Sequence, residues 1–294
     1  MRWNAWLVWM GLLLSPPAQA ACPPEGTDAG SLRSLREQAF AVPDDVLAVL
    51  AASLPACLAD SDPTLRDGVA YEGFSAWLRA GRLDVAQRRA LRDRLYAMLD
   101  EDDAEGFGPP FAALVLSEVA RTDRVAPWMS AEERAGMVAR AAAYLAAVRD
   151  YRGFDDAEGW RHGVAHGADW VLQLVLNAQV DRAQVDALLA AVAAQVVPES
   201  AHAYVFGEPG RLARPVVYAA RRGLLDGDEW TRWFAALPPR LGDATQAYAD
   251  RAWLARRHDL MAFLTNVYLE ADQSDDPGVR GLKPAVVHAL KAVP

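Results

Sequence analysis

The 294-residue sequence predicts an all-α protein. Apolar residues recur at the spacing of helices, and these stretches are rich in Ala, Leu and Arg. No sustained alternation of Val, Ile or Thr with polar residues indicates a sheet. The predicted helices cover residues 31–40, 44–54, 63–78, 85–99, 110–121, 131–148, 159–177, 182–196, 211–222, 228–236, 244–271 and 277–292.

Several of these helices begin at a residue whose side chain can cap the free first-turn amides. Asp62 precedes Pro63, Ser130 precedes Ala131, and Asp276 precedes Pro277. The first and last of these openings share an Asp-Pro-x-aliphatic-Arg pattern, which resembles the start of the second helix of a HEAT-type repeat. We therefore expect a HEAT-like α-α superhelix of stacked helical hairpins, with a closed α/α ring as the alternative.

The N-terminus has the three parts of a cleavable signal peptide. Arg2 precedes an apolar run over residues 5–14, and Ser15-Pro16-Pro17 leads to Ala18-Gln19-Ala20. We expect cleavage after Ala20, export to the periplasm or beyond, and a single α-helical domain over residues 21–294. The run is shorter than the roughly 20 apolar residues that span a bilayer, so no transmembrane segment is predicted.

The two cysteines, Cys22 and Cys57, both follow the expected cleavage site. In an oxidising compartment an even number of cysteines favours a disulfide, so we predict a Cys22–Cys57 bond. A lipoprotein anchored through Cys22 is the alternative. It is disfavoured because Gln19 stands where a lipoprotein cleavage box has an aliphatic residue.

The formal net charge of -9 disfavours nucleic acid and anionic lipid as partners, since both require a cationic face. The sequence contains no Gly-x-Ser-x-Gly elbow, phosphate loop or dinucleotide fingerprint, which removes support for serine hydrolase, nucleotidyl and Rossmann chemistry. The partners that remain are a protein or a small-molecule ligand.

Three residues on the predicted helix 159–177 suggest a metal site. His162, His166 and Asp169 are spaced so that a helix would present them on one face, which is a common arrangement for zinc. In that interpretation Asp150 or Glu208 acts as the general base on a zinc-bound water. The alternative is structural: Gly163 and Gly167 make the helix thin, and the histidines hold a close packing contact.

Two segments interrupt the helical pattern, residues 150–158 and 198–209. Loops that carry aromatic and ionisable side chains are frequent functional sites. The candidate ligand-binding residues in and beside these loops are Arg152, Trp160, Tyr204, Glu208 and Arg211. In the structural alternative, Glu208 caps the following helix and Arg211 pairs with an acid.

Three motifs resemble a bacterial family, the domain of unknown function 2785. They are Arg66-Asp67-Gly68-x-Ala70-Tyr71, then Asp150-x-Arg152-Gly153 leading to Gly159-Trp160-x-His162-x-x-Ala165-His166-x-x-Asp169, and Phe206-Gly207-Glu208 running to Arg211-Leu212-Ala213-Arg214-Pro215. The resemblance spans roughly residues 60–225 and implies a helical, HEAT-like fold. It implies no activity, because the family has none assigned.

Two functions follow from these residues. The first is a binding or interaction module whose concave face surrounds the helix carrying His162 and His166. The alternative is a zinc-dependent hydrolase with His162, His166 and Asp169 as ligands.

Overall fold

A computed structural model describes residues 21–294, so the predicted signal peptide lies outside the described residues. The fold is all-α, as predicted. The α-helices are α1 Ala29–Glu37, α2 Asp44–Ser53, α3 Pro63–Leu65, α4 Glu72–Arg79, α5 Val85–Asp100, α6 Gly108–Val125, α7 Ala131–Ala147, α8 Gly163–Val175, α9 Arg182–Val196, α10 Glu208–Arg221, α11 Gly227–Ala235, α12 Arg251–Gln273, α13 Pro277–Arg280 and α14 Lys283–Ala292. Short 3₁₀ helices cover Leu54–Ala59, Pro238–Leu241 and Ala244–Gln246.

The caps predicted from the sequence are formed. The Asp62 carboxylate accepts from the amide of Thr64, and the Asp276 carboxylate accepts from the amides of Gly278 and Val279. Ser130 makes a reciprocal capping box, in which its hydroxyl accepts from the amide of Glu133 and the Glu133 carboxylate accepts from the amide of Ser130. These bonds fix where the helices begin.

Helices α3 and α4 form one continuous helical stretch that is interrupted by a π-helical segment, Arg66–Tyr71. A π-segment widens a helix locally and changes the direction in which its side chains point, and such segments are frequent at functional sites. The segment coincides with the first motif of the family resemblance.

Alternate helices pack against each other through the middle of the chain. Helix α6 contacts α8, α8 contacts α10, and α10 contacts α12, while α7 contacts α9. The buried apolar side chains form one continuous cluster that includes Leu32 near one end of the described chain and Ala289 near the other. Helix α8 lies inside it, with all of its residues buried except the half-buried Asp169 and Gln173. The superhelix and the closed ring both stay predictions.

The predicted helix 159–177 is wrong at its N-terminus. Residues Phe154–Asp155 (β1) and Gly159–Trp160 (β2) form a short antiparallel hairpin, and α8 begins only at Gly163. Gly159 has a φ of 73° and His162 a φ of 56°, so the chain between them is not helical. The amides of Arg161 and His162 instead donate to the carbonyls of Gly153 and Arg152. His162 is therefore the residue before the first turn of α8, and its ring centre lies 5.8 Å from that of His166.

A smaller correction applies to the predicted helix 244–271. A 3₁₀ turn covers Ala244–Gln246, and the helix itself begins at Arg251. The carboxylate of Asp250 accepts from the amide of Ala252 and caps this later start.

The predicted disulfide is confirmed. Cys22 and Cys57 are bonded, with their Cα atoms 5.0 Å apart, and the bond ties the start of the described chain to the 3₁₀ helix Leu54–Ala59. Across residues 21–294, no helix combines the length and the apolar character that a membrane span requires.

Removing the disulfide should lower the free energy of unfolding. The double variant Cys22→Ala/Cys57→Ala opens a loop closed over a sequence separation of 35, and loop entropy sets the loss at about 4 kcal/mol as an upper value. Urea denaturation of the oxidised wild-type protein and of the double variant measures it. Wild-type protein reduced with dithiothreitol is the control and should match the variant; a variant as stable as the oxidised protein would contradict the prediction.

Candidate functional site

The side chain of Arg66 connects the π-helical segment to the β1–β2 hairpin. Its guanidinium is fully buried, and it donates to the backbone carbonyls of Asp60 (2.9 Å) and Glu158 (2.7 Å). It also pairs with the carboxylate of Asp67 at 2.9 Å and lies 4.1 Å above the centre of the Phe107 ring. Every face of this cation is occupied by protein groups, so Arg66 has a positioning role and is not a ligand contact.

The hairpin in turn holds an aromatic cluster. Gly153 leaves room for the ring of Phe206, because a Cβ atom at Gly153 would lie 2.0 Å from that ring. The rings of Phe154 and Phe206 lie 5.0 Å and 5.9 Å from the ring of Trp160. Packing therefore explains the glycine in the Asp150-x-Arg152-Gly153 motif, because the absence of a side chain allows the 198–209 loop to lie against the hairpin.

A cleft of about 460 Å³ lies where the π-segment, α6, the hairpin, α8 and the start of α10 meet. Its aromatic wall is made by Tyr71, Phe111, Trp160 and Phe206. Its polar wall is made by Asp67, Glu72, His162, His166, Asp169 and Arg211. Leu114 and Gly207 complete the lining. All three motifs of the family resemblance thus contribute side chains to one cavity.

His162 occupies the junction between the hairpin and α8. Its ring stacks on Trp160 with the ring centres 4.6 Å apart, and its Nε2 atom lies 3.4 Å from Oε1 of Glu208 without hydrogen-bond geometry. The other carboxylate oxygen of Glu208 accepts from the amide of Phe206. Burial alone would raise the pKa of Glu208, but His162 and nearby backbone amides lower it overall. Glu208 is 2% exposed and holds the loop against His162 from behind the cleft.

His166 is a neutral imidazole. Its Nδ1 lies 3.2 Å from the carbonyl oxygen of Pro110, which can only accept a hydrogen bond, so the proton is on Nδ1. Burial, together with the nearby His162, lowers the pKa of His166 to about 3. The Nε2 atom is therefore left with a lone pair that can accept a hydrogen bond.

The carboxylates that line the cleft are all paired with arginines. Asp169 pairs with Arg211 across the cleft wall, Asp67 pairs with Arg66, and Glu72 pairs with Arg36. Burial raises the pKa of Asp169, although Arg211 opposes that shift. Each of the three carboxylates that line the cleft therefore has an arginine partner.

The geometry does not support the zinc site predicted from the sequence. His162, His166 and Asp169 are each directed to a different partner, namely Glu208, the Pro110 carbonyl and Arg211. Within residues 21–294, no group of three or more His, Cys, Asp or Glu side chains is arranged to hold a metal ion. The spacing argument fails because it assumed that His162 belongs to the helix.

The other candidates fall into two sets. Trp160 and Arg211 line the cleft, as a ligand-binding role requires, and Glu208 supports it from behind. Asp150 and Arg152 pair with each other, and Arg152 also donates to the carbonyl of Glu105. Neither Asp150 nor Arg152 lines the cleft.

Tyr204 is also outside the cleft. It is 3% exposed, and its hydroxyl donates to the side-chain oxygen of Gln195 at 3.1 Å. Sequence reasoning assigned no role to Asp67, Tyr71 and Phe206, although all three stand within the motifs of the family resemblance. Glu72, Phe111 and Leu114 gave no such signal, because as single residues on helices they look like ordinary surface or core positions.

A buried carboxyl group anchors the segment that leads to Phe206. Asp259 on α12 is 1% exposed, and its Oδ1 accepts from the amide of Tyr204 at 2.8 Å, while its Oδ2 has no protein partner. Burial raises the pKa of Asp259 to about 7, with Glu208 adding to the effect and the Tyr204 amide opposing it. The protonated form is therefore the one that the fold favours.

This raised pKa predicts a pH-dependent stability. Unfolded Asp has a pKa of about 3.9, so the stabilisation by protonated Asp259 is complete below that pH and is lost as the pH rises through about 7. The loss is at most about 4 kcal/mol. As the pH rises from acidic to mildly alkaline, the free energy of unfolding of the wild type should therefore fall relative to that of Asp259→Asn.

Urea denaturation across that pH range measures the difference. The variant Asp228→Asn changes an exposed carboxylate of the same type and serves as the control, whose difference from wild type should stay nearly constant. A pH-independent difference for Asp259→Asn would contradict the prediction.

Comparison with known proteins adds one result. Residues 95–269 match the model of a family described as a protein of unknown function (DUF2785). No curated protein and no solved structure is significantly similar to the chain. The matched region includes the hairpin, the His166 helix and the Arg211 helix, whereas Arg66 precedes it. Because the match covers more than half of the sequence, the chain belongs to the DUF2785 family.

Proposed function

We propose that this protein is an exported binding protein whose ligand occupies the cleft beside His162 and His166. The observation that carries the proposal is the convergence of three segments far apart in the sequence on one cavity. Asp67 and Tyr71 come from the first, Trp160 from the second, and Arg211 from the third. A concave site with an aromatic wall and a few fixed polar groups is typical of small-molecule binding.

The polar groups of the cleft are held in place before any ligand arrives. The Nδ1 atom of His166 is bonded to the Pro110 carbonyl, and Glu208 lies against His162 and bonds the Phe206 amide. Side chains that are already fixed lose little conformational entropy on binding, which favours affinity. This is the arrangement that a binding site needs.

Export is part of the proposal. It is supported by the Cys22–Cys57 disulfide, since such bonds persist in oxidising compartments. The N-terminal leader that the sequence predicts would provide the route.

Soaking crystals with a chemically diverse set of small fragments tests the proposal. We expect fragments to cluster in the cleft, against Trp160 and Phe206, and we expect Phe206→Ala to reduce their occupancy. Gly153→Ala should do the same without touching the ligand, because its methyl group would displace the Phe206 ring.

Two matched variants control for general effects of substitution. Tyr248→Ala removes an aromatic side chain that is 69% exposed and does not line the cleft. Arg94→Met removes an arginine that pairs with Glu101 at another surface. Both should leave the fragment occupancy of the cleft unchanged. A cleft that stays empty while fragments bind elsewhere would refute the proposed function.

A further inference from the structure

The charge pattern of the cleft restricts the kind of ligand that fits it. Its three carboxylates each have an arginine partner, and its buried histidine at position 166 is neutral. A charged ligand would have to compete with an existing partner for one of these groups, or lose its hydration in a site whose carboxylates are already paired. Either outcome costs free energy that a neutral ligand does not lose.

The uncharged surface of the cleft is aromatic. Phe206 is 38% exposed, and Trp160 and Tyr71 are half-buried beside it. Flat ring faces of this kind pack against the apolar face of a ring compound.

Residues that carry hydrogen-bond donors and residues that carry acceptors line the same cavity. Asp169 offers carboxylate oxygens and His166 offers its Nε2 lone pair, while the guanidinium of Arg211 offers donors. Arg211 is 43% exposed, so part of its donor fork is available beyond its bond to Asp169. A hydroxyl group is the ligand group that uses both types at once, since it donates and accepts.

From this combination we propose that the cleft binds a neutral, hydroxyl-rich ring compound, that is, an uncharged carbohydrate. The inference rests on the proposed function, because it names the ligand class for the same cleft. The apolar face of the sugar ring packs on Phe206, which is more exposed than Trp160. Its hydroxyl groups exchange hydrogen bonds with Asp169, Arg211 and His166.

A matched series of glycosides tests the inference. The probes are methyl pyranosides in the gluco, galacto and manno configurations, each compared with its uronic acid and with the analogue whose primary hydroxyl is replaced by an amine. Binding to the purified mature protein is measured by saturation-transfer NMR and calorimetry. We expect at least one neutral glycoside to bind about tenfold or more tightly than both charged analogues. Its affinity should hardly change between about 0.05 and 0.5 M salt.

Two substitutions should change the charge preference in opposite directions. Arg211→Met leaves Asp169 without its partner, so the amine analogue should gain affinity relative to the neutral glycoside. Asp169→Asn leaves Arg211 without its partner, so the uronic acid should gain instead. Arg94→Met, away from the cleft, should keep the wild-type order. Thermal unfolding of each variant confirms that it is folded.

Several outcomes would overturn the inference. They are binding of only charged sugars with affinity that falls in salt, binding of N-acetyl dipeptide amides but of no sugar, or no binding of any glycoside. The fragment soak distinguishes failure of the ligand class from failure of the proposed binding function. A cleft that holds fragments while no neutral sugar binds refutes the ligand class alone, whereas a cleft that holds neither refutes the proposed function as well.

Discussion

The cleft depends on one buried cation. Arg66 has no solvent-exposed surface, and its guanidinium holds the turn at Asp60, the carboxylate of Asp67 and the hairpin at Glu158 in one arrangement. A buried arginine is costly unless its donors are satisfied, so the three groups must stay in place together. Arg161 extends the same arrangement, since it also lies over the Phe107 ring and donates to the carbonyl of Glu105. The hairpin is thereby fixed against the π-segment.

The hairpin in turn positions the other residues of the site. Its backbone pairing sets the left-handed conformation of His162, whose ring stacks on Trp160 and lies against Glu208. Glu208 holds the amide of Phe206, and Gly153 leaves space for the Phe206 ring. Two buried carboxyl groups, Glu208 at the start of α10 and Asp259 on α12, thus accept hydrogen bonds from backbone amides of the 198–209 loop. Contacts behind the cleft therefore hold its aromatic side chains in position.

Much of this fold could be predicted from helical periodicity and capping. The helix over Arg182–Val196 and the start of α7 at Ala131 follow from the sequence, because apolar spacing and the side-chain caps of Asp181 and Ser130 determine them. The start of α8 could not be predicted in that way. His162 adopts φ 56° because of backbone bonds to residues 152 and 153 and the packing of Trp160, which no local pattern reveals.

The same limit applies to the site. The importance of Trp160 and Arg211 could be inferred from residue type and position, and both line the cleft. Tyr204 and Arg152 looked equivalent in the sequence, yet one bonds Gln195 in the core and the other bonds Asp150 outside the cleft. Whether a side chain is buried, and with which residue it pairs, depends on the tertiary packing of the helices, which a local sequence pattern does not reveal. The zinc hypothesis rested on i and i+4 spacing, which has meaning only inside a helix, and His162 lies before the first turn of α8.

Hydrogen–deuterium exchange of the Arg66→Lys variant tests most directly whether the buried arginine organises the cleft. Lysine keeps the charge but lacks the planar fork that bonds several groups at once. We expect the amides of Arg161 and His162, which bond the hairpin, to exchange faster in the variant, while amides in the centre of α12 keep their wild-type rates. Hairpin amides that exchange at the wild-type rate in a folded variant would contradict the account.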